Sequence, residues 1–284
     1  MSVLATVLIP AWNEEAVIGR TLACLQAGLA RGRLRIIVIA NACTDATARV
    51  ARRAAPDAIV LETPTPGKCA ALNLGLSRAE PGRPVVCLDA DLDVSAGEVM
   101  ALIAPLLDGR ALAACGRMEV DARDASPLVR AWVRGWALNP YFARGKFGGL
   151  FALSWDGAHR VFPLPSVTAD DEWVRRSFDP ADIAFVPACS LVARAPRSLK
   201  ALVQTRCRSL RGARALTAMG RSAPGGEGAR AMLRAGLRRP ARWADFAVYL
   251  AVMTWVRIRL ATETSAPRWE RDQTTRAPVG DLPR

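Results

Sequence analysis

The chain has 284 residues, 51% of them hydrophobic, and a formal net charge of +13. This length allows one large domain or two small ones, and no run of 18 uncharged apolar residues, the usual sign of a membrane-spanning helix, occurs. Seven cysteines without a CxxC pair and a single histidine exclude a disulfide framework and a typical zinc site, and they favour a cytoplasmic protein with reduced thiols.

Short apolar strands alternate with helices in the first third of the chain. The pattern predicts strands at Val3–Ile9, Leu34–Ile39, Ala58–Leu61, Val85–Leu88 and Ala111–Cys115. It predicts helices from an N-cap at Asn13 to about Ala30, from Thr44 to Ala54, from Lys68 to Ala79 and from Ser95 to Leu107. Strands that are apolar throughout belong to parallel sheets covered by helices, and such sheets bind ligands beyond the carboxyl ends of their strands.

Three acids at a spacing of two follow the fourth predicted strand: Asp89, Asp91 and Asp93. Ionised carboxylates so close together repel one another, so we expect a cation among them or a raised pKa on one of them. Carboxylate oxygens suit Mg²⁺ or Mn²⁺, which often binds one or two protein carboxylates plus substrate phosphates. The alternative is a solvated acidic turn that begins the next helix.

Four motifs occur in order, each after a predicted strand: IPAWNEE (9–15), VIANACTDAT (38–47), GKCAALNLGL (67–76) and LDADLDV (88–94). Together they resemble the motifs of family 2 glycosyltransferases, which are inverting, nucleotide-sugar-dependent enzymes of the GT-A fold. The resemblance covers about residues 3–212. It implies an α/β fold with a Rossmann-like, mostly parallel sheet and flanking helices, followed by a helical, basic C-terminal region.

The resemblance also implies a division of labour along the chain. Residues 1–115 would bind the nucleotide sugar, 116–200 would hold the acceptor and the catalytic base within the same domain, and 201–284 would form the basic helical region. The expected donor-binding residues are Pro10, Ala11, Glu14, Asn41, Lys68, Asp89, Arg208 and Arg211, and the expected ligand of Mg²⁺ or Mn²⁺ is Asp91.

Several of these assignments leave alternatives open. Asn41 replaces an acid that reads the uracil ring in many family members, so the nucleotide base stays open, with a UDP-sugar favoured. Lys68 has the alternative role of an exposed lysine at a helix start. We expect Asp45 to cap a helix and Asn73 to brace a loop, and Asp93 has no assigned role.

A second acidic cluster, ADDEW, begins at Ala169 and resembles the acidic pair that supplies the general base in the family. An inverting transfer needs a carboxylate to take the proton of the acceptor hydroxyl as its oxygen attacks the anomeric carbon. We expect Asp171 in this role, with Asp170 as the next candidate. The alternative is an acidic helix N-terminus stabilised by the helix dipole. Gly148 and Gly149 are the expected acceptor-binding residues, because glycine permits close backbone approach.

The positive charge is concentrated in residues 201–284, which contain 16 Arg and 6 acidic residues. Such a segment favours an anionic surface as its partner, although a merely Arg-rich composition is the alternative. Within it, residues 238–260 are largely apolar, with Arg at both ends and Trp at both borders. This segment is either a helix lying in a membrane interface or a buried core helix.

The sequence therefore predicts an inverting glycosyltransferase that is cytoplasmic and peripheral on the inner face of the cell membrane. Its substrates would be a nucleotide-diphosphate sugar and a hydroxyl on a lipid-linked glycan or polysaccharide precursor. One alternative is a sugar-phosphate nucleotidyltransferase, and another is a catalytically degenerate scaffold that binds nucleotide sugar. Nucleic acid is not an expected partner, because the basic segment lacks interleaved aromatic motifs.

Overall fold

The structure is a computed structural model, and it describes residues 2–26, 33–140, 142, 147–221 and 229–263. The strands within these residues are β1 (Ala5–Ala11), β2 (Leu34–Asn41), β3 (Ile59–Thr63), β4 (Val85–Leu88), β5 (Ala113–Asp121), β6 (Leu150–Leu153) and β7 (Ile183–Arg194). The helices are α1 (Ile18–Gln26), α2 (Thr47–Ala54), α3 (Lys68–Leu76), α4 (Ala96–Leu107), α5 (Pro127–Trp136), α6 (Trp155–Val161), α7 (Asp170–Arg175), α8 (Leu199–Ala218), α9 (Ala229–Leu237) and α10 (Trp243–Ala261).

The seven strands form one sheet with the order β3-β2-β1-β4-β6-β5-β7. Strands β3, β2, β1 and β4 run parallel, whereas β6 is antiparallel to its neighbours β4 and β5. The predicted α/β fold with a mostly parallel sheet and flanking helices is therefore confirmed.

Strand β1 extends beyond its predicted end. It runs through Pro10 to Ala11, whereas the sequence predicts that Pro10 closes the strand. Pairing with β4 ends at Leu8, while pairing with β2 continues to Ala11. Because proline has no N–H to donate, it fits a stretch of strand that pairs on one side only.

Helix α1 begins at Ile18, so the prediction of an N-cap at Asn13 was wrong. Asn13 instead has a φ of +53°, and its side chain bonds to Thr44 in another loop. Asparagine favours both helix caps and left-handed loop positions, which is why the local pattern was ambiguous. The predicted end of this helix near Ala30 lies outside the described residues.

The chain divides into two compact units. The first comprises Met1–Glu119 and Gly145–Val192, and the second comprises Val120–Arg144 and Ala193–Arg284. The predicted assignment of donor and acceptor binding to successive parts of the sequence stays a prediction.

Each unit has its own apolar core. In the first unit, residues of the sheet and of α3 are buried together, among them Leu8 and Leu72. In the second unit, residues of α5, α8 and α10 are buried together, among them Trp132, Cys207 and Val256. Within the described residues, every helix is too short or too polar to cross a membrane.

Candidate functional site

The carboxyl ends of β1, β2 and β4 meet at one edge of the sheet. These strands are neighbours and run parallel, so the loops that follow them, residues 12–17, 42–46 and 89–95, leave from the same edge. Open α/β sheets bind their ligands at this edge. The sequence motifs supply these loops and the start of α3.

The loops after β1 and β2 are tied together by hydrogen bonds. Asn13 Oδ1 accepts the N–H of Thr44 at 2.8 Å, and Asp45 Oδ2 accepts the N–H of Glu15 at 3.1 Å. Asp45 Oδ1 also accepts the N–H of Thr47, the first residue of α2, at 2.9 Å, but the N-cap of this helix is Ala46, so the prediction that Asp45 caps the helix was wrong by one residue. Partial burial opposes ionisation of Asp45, but these hydrogen bonds outweigh it and lower its pKa.

Asn41 is buried at the end of β2. Its Nδ2 donates to the carbonyl of Ala11 at 2.9 Å, and its Oδ1 accepts the N–H of Gly67 at 3.2 Å. The amide therefore joins the end of β1 to the turn before α3. Both polar ends of the side chain therefore have partners within the protein. The predicted contact of Asn41 with a nucleotide base stays a prediction.

The other predicted donor residues of the first motif also lie at this edge. Pro10 and Ala11 are the last two residues of β1, and both are buried. Glu14 is buried in the loop that follows, where its N–H donates to Thr47 Oγ1 at 2.7 Å. Their contacts with a donor stay predictions.

Asp89 begins the loop after β4 and packs against a glycine. Its N–H donates to the carbonyl of Gly149 at 2.8 Å. Gly149 has a φ of +88°, and a Cβ at this position would lie 2.6 Å from Asp89 Oδ2. The backbone of Gly149 therefore closely approaches the Asp89 carboxylate, and Gly148 lies beside it, partly buried. The predicted contacts of both glycines with the acceptor stay predictions.

Lys68, the first residue of α3, joins two carboxylates. Its Nζ lies 2.7 Å from Asp89 Oδ1 and 2.8 Å from Asp170 Oδ2. Burial lowers the pKa of Lys68, but the charges of Asp170, Asp89 and Asp171 outweigh it and raise that pKa well above its ordinary value. Lys68 is thus a fixed positive charge.

The pKa of Asp89 is raised as well, but here burial outweighs the neighbouring cation. Burial raises the pKa of Asp89 to about 6, with Lys68 opposing this rise and Asp91 and Asp170 adding to it. We expected the cation among these acids to be a metal ion arriving with the substrate. The structure adds a cation of the protein itself.

The acidic pair lies at the start of α7 in two different settings. Asp170 is buried and paired with Lys68. Asp171 is less buried, and its Oδ1 accepts the N–H of Glu172 at 2.8 Å. Burial raises the pKa of Glu172, but its hydrogen bonds and ion pairs with the arginines at 175 and 176 lower it overall.

Helix α3 fastens the segment that leads to this acidic pair. Asn73 Nδ2 donates to the carbonyl of Leu164 at 2.9 Å, and Asn73 Oδ1 accepts the N–H of Leu164 at 2.7 Å. The thiol of Cys69 donates to the carbonyl of Val167 at 3.5 Å. The predicted bracing role of Asn73 is confirmed, and one helix holds both Lys68 and the chain before Asp170.

Asp93, the third acid of the loop after β4, has a partner that the sequence did not suggest. Its Oδ1 lies 2.6 Å from Nε of Arg20 in α1. The two residues are 73 positions apart, and no local spacing relates them. The sequence signal available was only a basic residue on the polar side of a predicted helix.

The remaining predicted residues lie elsewhere. Arg208 and Arg211 are on α8 in the second unit, where Arg211 is paired with Glu263. His159 lies on α6, and its Nδ1 is 2.9 Å from the carbonyl oxygen of Trp155 one turn earlier. The predicted contacts of both arginines with a diphosphate stay predictions.

The sequence model of the family described as "Glycosyl transferase family 2" matches residues 6–156, which is more than half of the chain. The chain belongs to this family. The family 2 resemblance in the sequence is thereby confirmed, and the fold, the family and its solved relatives identify a nucleotide-sugar glycosyltransferase of the GT-A type. A comparison with curated proteins finds no match.

Solved structures of glycosyltransferases are similar to this family 2 chain. The glucosyl-3-phosphoglycerate synthase of Mycobacterium tuberculosis is 26% identical, over 72% of this chain and 79% of that one, with a TM-score of 0.52. The same synthase in complex with Mn²⁺, UDP and glucosyl-3-phosphoglycerate is 25% identical, over 78% and 81% of the two chains, with a TM-score of 0.56.

A more distant relative shares the fold over most of the chain. It is a mannosyltransferase from Pyrobaculum calidifontis in complex with GDP-Man and Mn²⁺, 21% identical over 93% of this chain and 77% of that one, with a TM-score of 0.60. At this identity the likeness concerns the fold alone.

Proposed function

We propose that this chain transfers a sugar from a nucleotide-diphosphate sugar to a hydroxyl group, with inversion at the anomeric carbon. The observation that carries the proposal is the position of Lys68 between Asp89, in the loop after β4, and Asp170, at the start of α7. One ammonium group thus links the predicted donor loop to the helix that holds the predicted base. The relative that binds UDP supports the donor class, and we favour a UDP-sugar.

The residues present fit a divalent cation. Asp89 and Asp91 place two carboxylates in the loop after β4, and such oxygens are ligands of Mg²⁺ or Mn²⁺. Because Lys68 already pairs with Asp89, we assign the ion to Asp91. Among the residues that the structure describes, no group of three or more metal-ligating side chains occurs, but an ion that shares substrate phosphates needs only one or two carboxylates from the protein. When bound, the ion would neutralise charge on the departing diphosphate.

We assign the general base to Asp171, with Asp170 as the second candidate. The carboxylate of Asp170 is 6% exposed and is engaged with Lys68, whereas Asp171 is less buried. Asp171 would take the proton of the acceptor hydroxyl as the hydroxyl oxygen forms a bond to the anomeric carbon. The bond from that carbon to the diphosphate oxygen breaks, and the nucleoside diphosphate leaves. Lys68, which stays charged, would stabilise the leaving diphosphate.

The other contacts with substrate follow the family resemblance and the position of each residue. The proposed donor-binding residues are Pro10, Ala11, Glu14, Asn41, Lys68, Asp89, Arg208 and Arg211, and the proposed acceptor-binding residues are Gly148 and Gly149. The two arginines are included because a guanidinium group matches phosphate oxygens in charge and geometry.

We further propose that the acceptor is a lipid-linked glycan or a polysaccharide precursor and that transfer takes place at the cytoplasmic face of the membrane. Support comes from the solvent-facing side of α10, where Trp243, Leu250, Trp255 and Ile258 are 55%, 40%, 50% and 57% exposed. Positions 243, 250 and 258 share one face at helical spacing. The opposite face of α10 is also largely apolar, because Val252, Met253, Val256 and Leu260 are buried there in the second core.

A surface helix ordinarily carries polar residues on its solvent face, so an apolar one suits a partner. The charges beside this face favour an anionic partner: the flanking arginines are Arg238, Arg239, Arg242, Arg257 and Arg259. Tryptophan borders and basic flanks suit a helix that lies in the headgroup region of an anionic bilayer.

Thermal unfolding in the presence of nucleotide sugars tests the donor and the metal together. UDP-, GDP- and dTDP-sugars are compared with and without Mn²⁺, for the wild type and for Asp91→Ala. A ligand at about 100 times its Kd stabilises the folded state by about 2.7 kcal/mol, so we expect a clear rise in Tm with one nucleotide class and Mn²⁺, which Asp91→Ala abolishes. An equal rise in Asp91→Ala would contradict the metal assignment.

Two other results, obtained with the same purified protein, would favour the alternative functions. Release of pyrophosphate from a nucleoside triphosphate and a sugar phosphate would favour a nucleotidyltransferase. A rise in Tm without turnover of any nucleotide sugar would favour a scaffold that only binds the donor.

A further inference from the structure

We infer that Arg20 and Thr21 of α1 hold the loop after β4 in its ligand-binding shape and thereby position Asp91. The inference rests on the proposed role of Asp91 as the ligand of the divalent cation. Neither residue belongs to a motif of the sequence, and both would act through the loop, as positioning residues.

The contacts run from two adjacent helix residues to three residues of the loop. Arg20 Nε lies 2.6 Å from Asp93 Oδ1, and Arg20 Nη2 donates to the carbonyl of Asp91 at 3.2 Å. Thr21 is buried, and its Oγ1 donates to the carbonyl of Ala90 at 2.8 Å. One turn of α1 therefore fixes the backbone on both sides of the Asp91 Cα atom as well as the carboxylate of Asp93.

The two ends of the loop are held by other parts of the first unit. At the start, the N–H of Asp89 donates to the carbonyl of Gly149 at 2.8 Å. At the end, Ser95 and Glu98 form a capping box at the start of α4. Within the loop, the N–H of Leu92 donates to the carbonyl of Asp89 at 3.3 Å and the N–H of Val192 to the carbonyl of Asp93 at 3.5 Å. The contacts from α1 add the bonds to the carbonyls of Ala90 and Asp91, which flank the Cα atom that carries the Asp91 carboxylate.

The charge of Arg20 also reduces repulsion within the loop. Asp89, Asp91 and Asp93 place three carboxylates within five residues. Lys68 is paired with the first of them and Arg20 with the third. The middle acid, Asp91, is the proposed ligand of the divalent cation. An arginine suits this position because its planar guanidinium can bond to a carboxylate and a carbonyl at once, which a lysine ammonium cannot do with the same geometry.

Binding of Mn²⁺ measured by electron paramagnetic resonance tests the inference without relying on activity. The free Mn²⁺ signal is followed during titration with protein in the presence of UDP and, separately, of GDP. Loss of an outer contact of a metal ligand typically costs about 10- to 100-fold in metal affinity. We expect a loss of about this size for Arg20→Met, a smaller loss for Thr21→Val, and partial recovery for Arg20→Lys.

The matched control is Arg52→Met, which removes the arginine of another ion pair in the first unit, with Glu62. It should leave Mn²⁺ binding unchanged. Amide hydrogen exchange gives a second readout. Residues 89–94 should exchange faster in Arg20→Met than in Arg52→Met when each variant is measured at the same number of degrees below its own Tm.

The outcomes separate this inference from the proposed metal site. If the wild type fails to bind Mn²⁺ both in the presence of UDP and in the presence of GDP, the metal site itself is contradicted, and the inference falls with it. If the wild type binds Mn²⁺ and folded Arg20→Met binds it equally well, the inference alone is overturned.

Discussion

The ammonium nitrogen of Lys68 lies 2.8 Å from Asp170 Oδ2. It lies 2.7 Å from Asp89 Oδ1 as well, so one cation joins the loop after β4 to the start of α7. The three acids after β4 predict a cation in their midst, and a metal ion is the cation that their spacing suggests. The structure supplies Lys68 for Asp89 and Arg20 for Asp93, and Asp91 is the acid that we propose as the metal ligand.

Removal of the Lys68 charge should destabilise the fold through Asp170. Lys68→Met leaves the buried carboxylate of Asp170 without its cation, and such a change typically lowers the free energy of unfolding by about 3 kcal/mol or more. The double variant Lys68→Met/Asp170→Asn removes the unpaired charge and should recover most of this loss. Urea denaturation of the three proteins measures the effect, and a double variant no more stable than Lys68→Met would contradict the ion pair.

The raised pKa of Asp89 predicts a pH dependence of stability. The pKa is about 6 in the folded chain and about 3.9 in an unfolded one. Between these values the folded chain binds more protons than the unfolded chain, so the contribution of Asp89 to stability falls as the pH rises from about 4 to about 6. The pKa of Lys68 is raised above its ordinary value, so Lys68 stays charged throughout this window.

Comparison with Asp89→Asn isolates this contribution, because the other titrating groups remain. Free energies of unfolding are measured in urea across the same pH window. As the pH rises, the free energy of unfolding of the wild type should fall relative to that of Asp89→Asn. A difference that stays constant over the window would show that Asp89 titrates at its ordinary value.

Gly149→Ala should damage both stability and donor binding. The substitution combines a φ of +88° with a Cβ 2.6 Å from Asp89 Oδ2. Gly82→Ala is the matched control, because Gly82 has a φ of +71° and no atom within 4 Å of its Cβ position. Backbone strain alone costs of order 1 kcal/mol, so Gly149→Ala should lose more unfolding free energy than Gly82→Ala. Equal losses would mean that the Asp89 carboxylate moves aside without cost.

The two acids of α7 should respond differently to neutralisation. Asp171→Asn removes the proposed base and should lower kcat about 10²- to 10⁴-fold with little change in Tm. Asp170→Asn removes the partner of Lys68 and should change stability and the KM for the donor. Steady-state kinetics and thermal unfolding of both variants test the assignment, and the reverse pattern would identify Asp170 as the base.

Sedimentation with vesicles tests the apolar face of α10. The protein should bind vesicles of phosphatidylcholine with about one third phosphatidylglycerol, and Leu250→Gln/Trp255→Gln should weaken binding at least about tenfold. The expected size follows from about 25 cal/mol per Å² of apolar surface lost from the interface. Leu128→Gln is the control, since Leu128 is 52% exposed on α5. Binding to neutral vesicles as strong as to anionic ones, or binding by the double variant as strong as by the wild type, would contradict a membrane-binding role for this face.

Local sequence patterns predict the elements that depend on local interactions. Strand β4 is observed at its predicted bounds, Val85–Leu88, and all four of its residues are buried. A short, continuous apolar run is typical of a fully buried strand. The start of α4 was predicted from Ser95, which caps the helix through Glu98. The apolar sheet strands and one recognisable cap thus suffice for the α/β half of the fold.

The contacts that give each acid its role are not local. Asp93 meets Arg20, 73 positions away, and Asp170 meets Lys68 from α3. Such pairs depend on how helices pack on the sheet, which spacing in the sequence does not encode. The contacts of Asn41 with Ala11 and Gly67 are non-local in the same way, and its contact with a nucleotide base stays a prediction.

Donor turnover tests the central claim most directly. Wild type and Asp91→Ala are incubated with UDP-, GDP- and dTDP-sugars and Mn²⁺, and release of the nucleoside diphosphate is measured with and without a metal chelator. We expect release from at least one nucleotide sugar by the wild type, and loss of that release with the chelator and in Asp91→Ala. A folded wild type that releases no nucleoside diphosphate from any of these sugars would overturn the proposed glycosyltransferase activity, and an Asp91→Ala variant as active as the wild type would overturn the metal assignment.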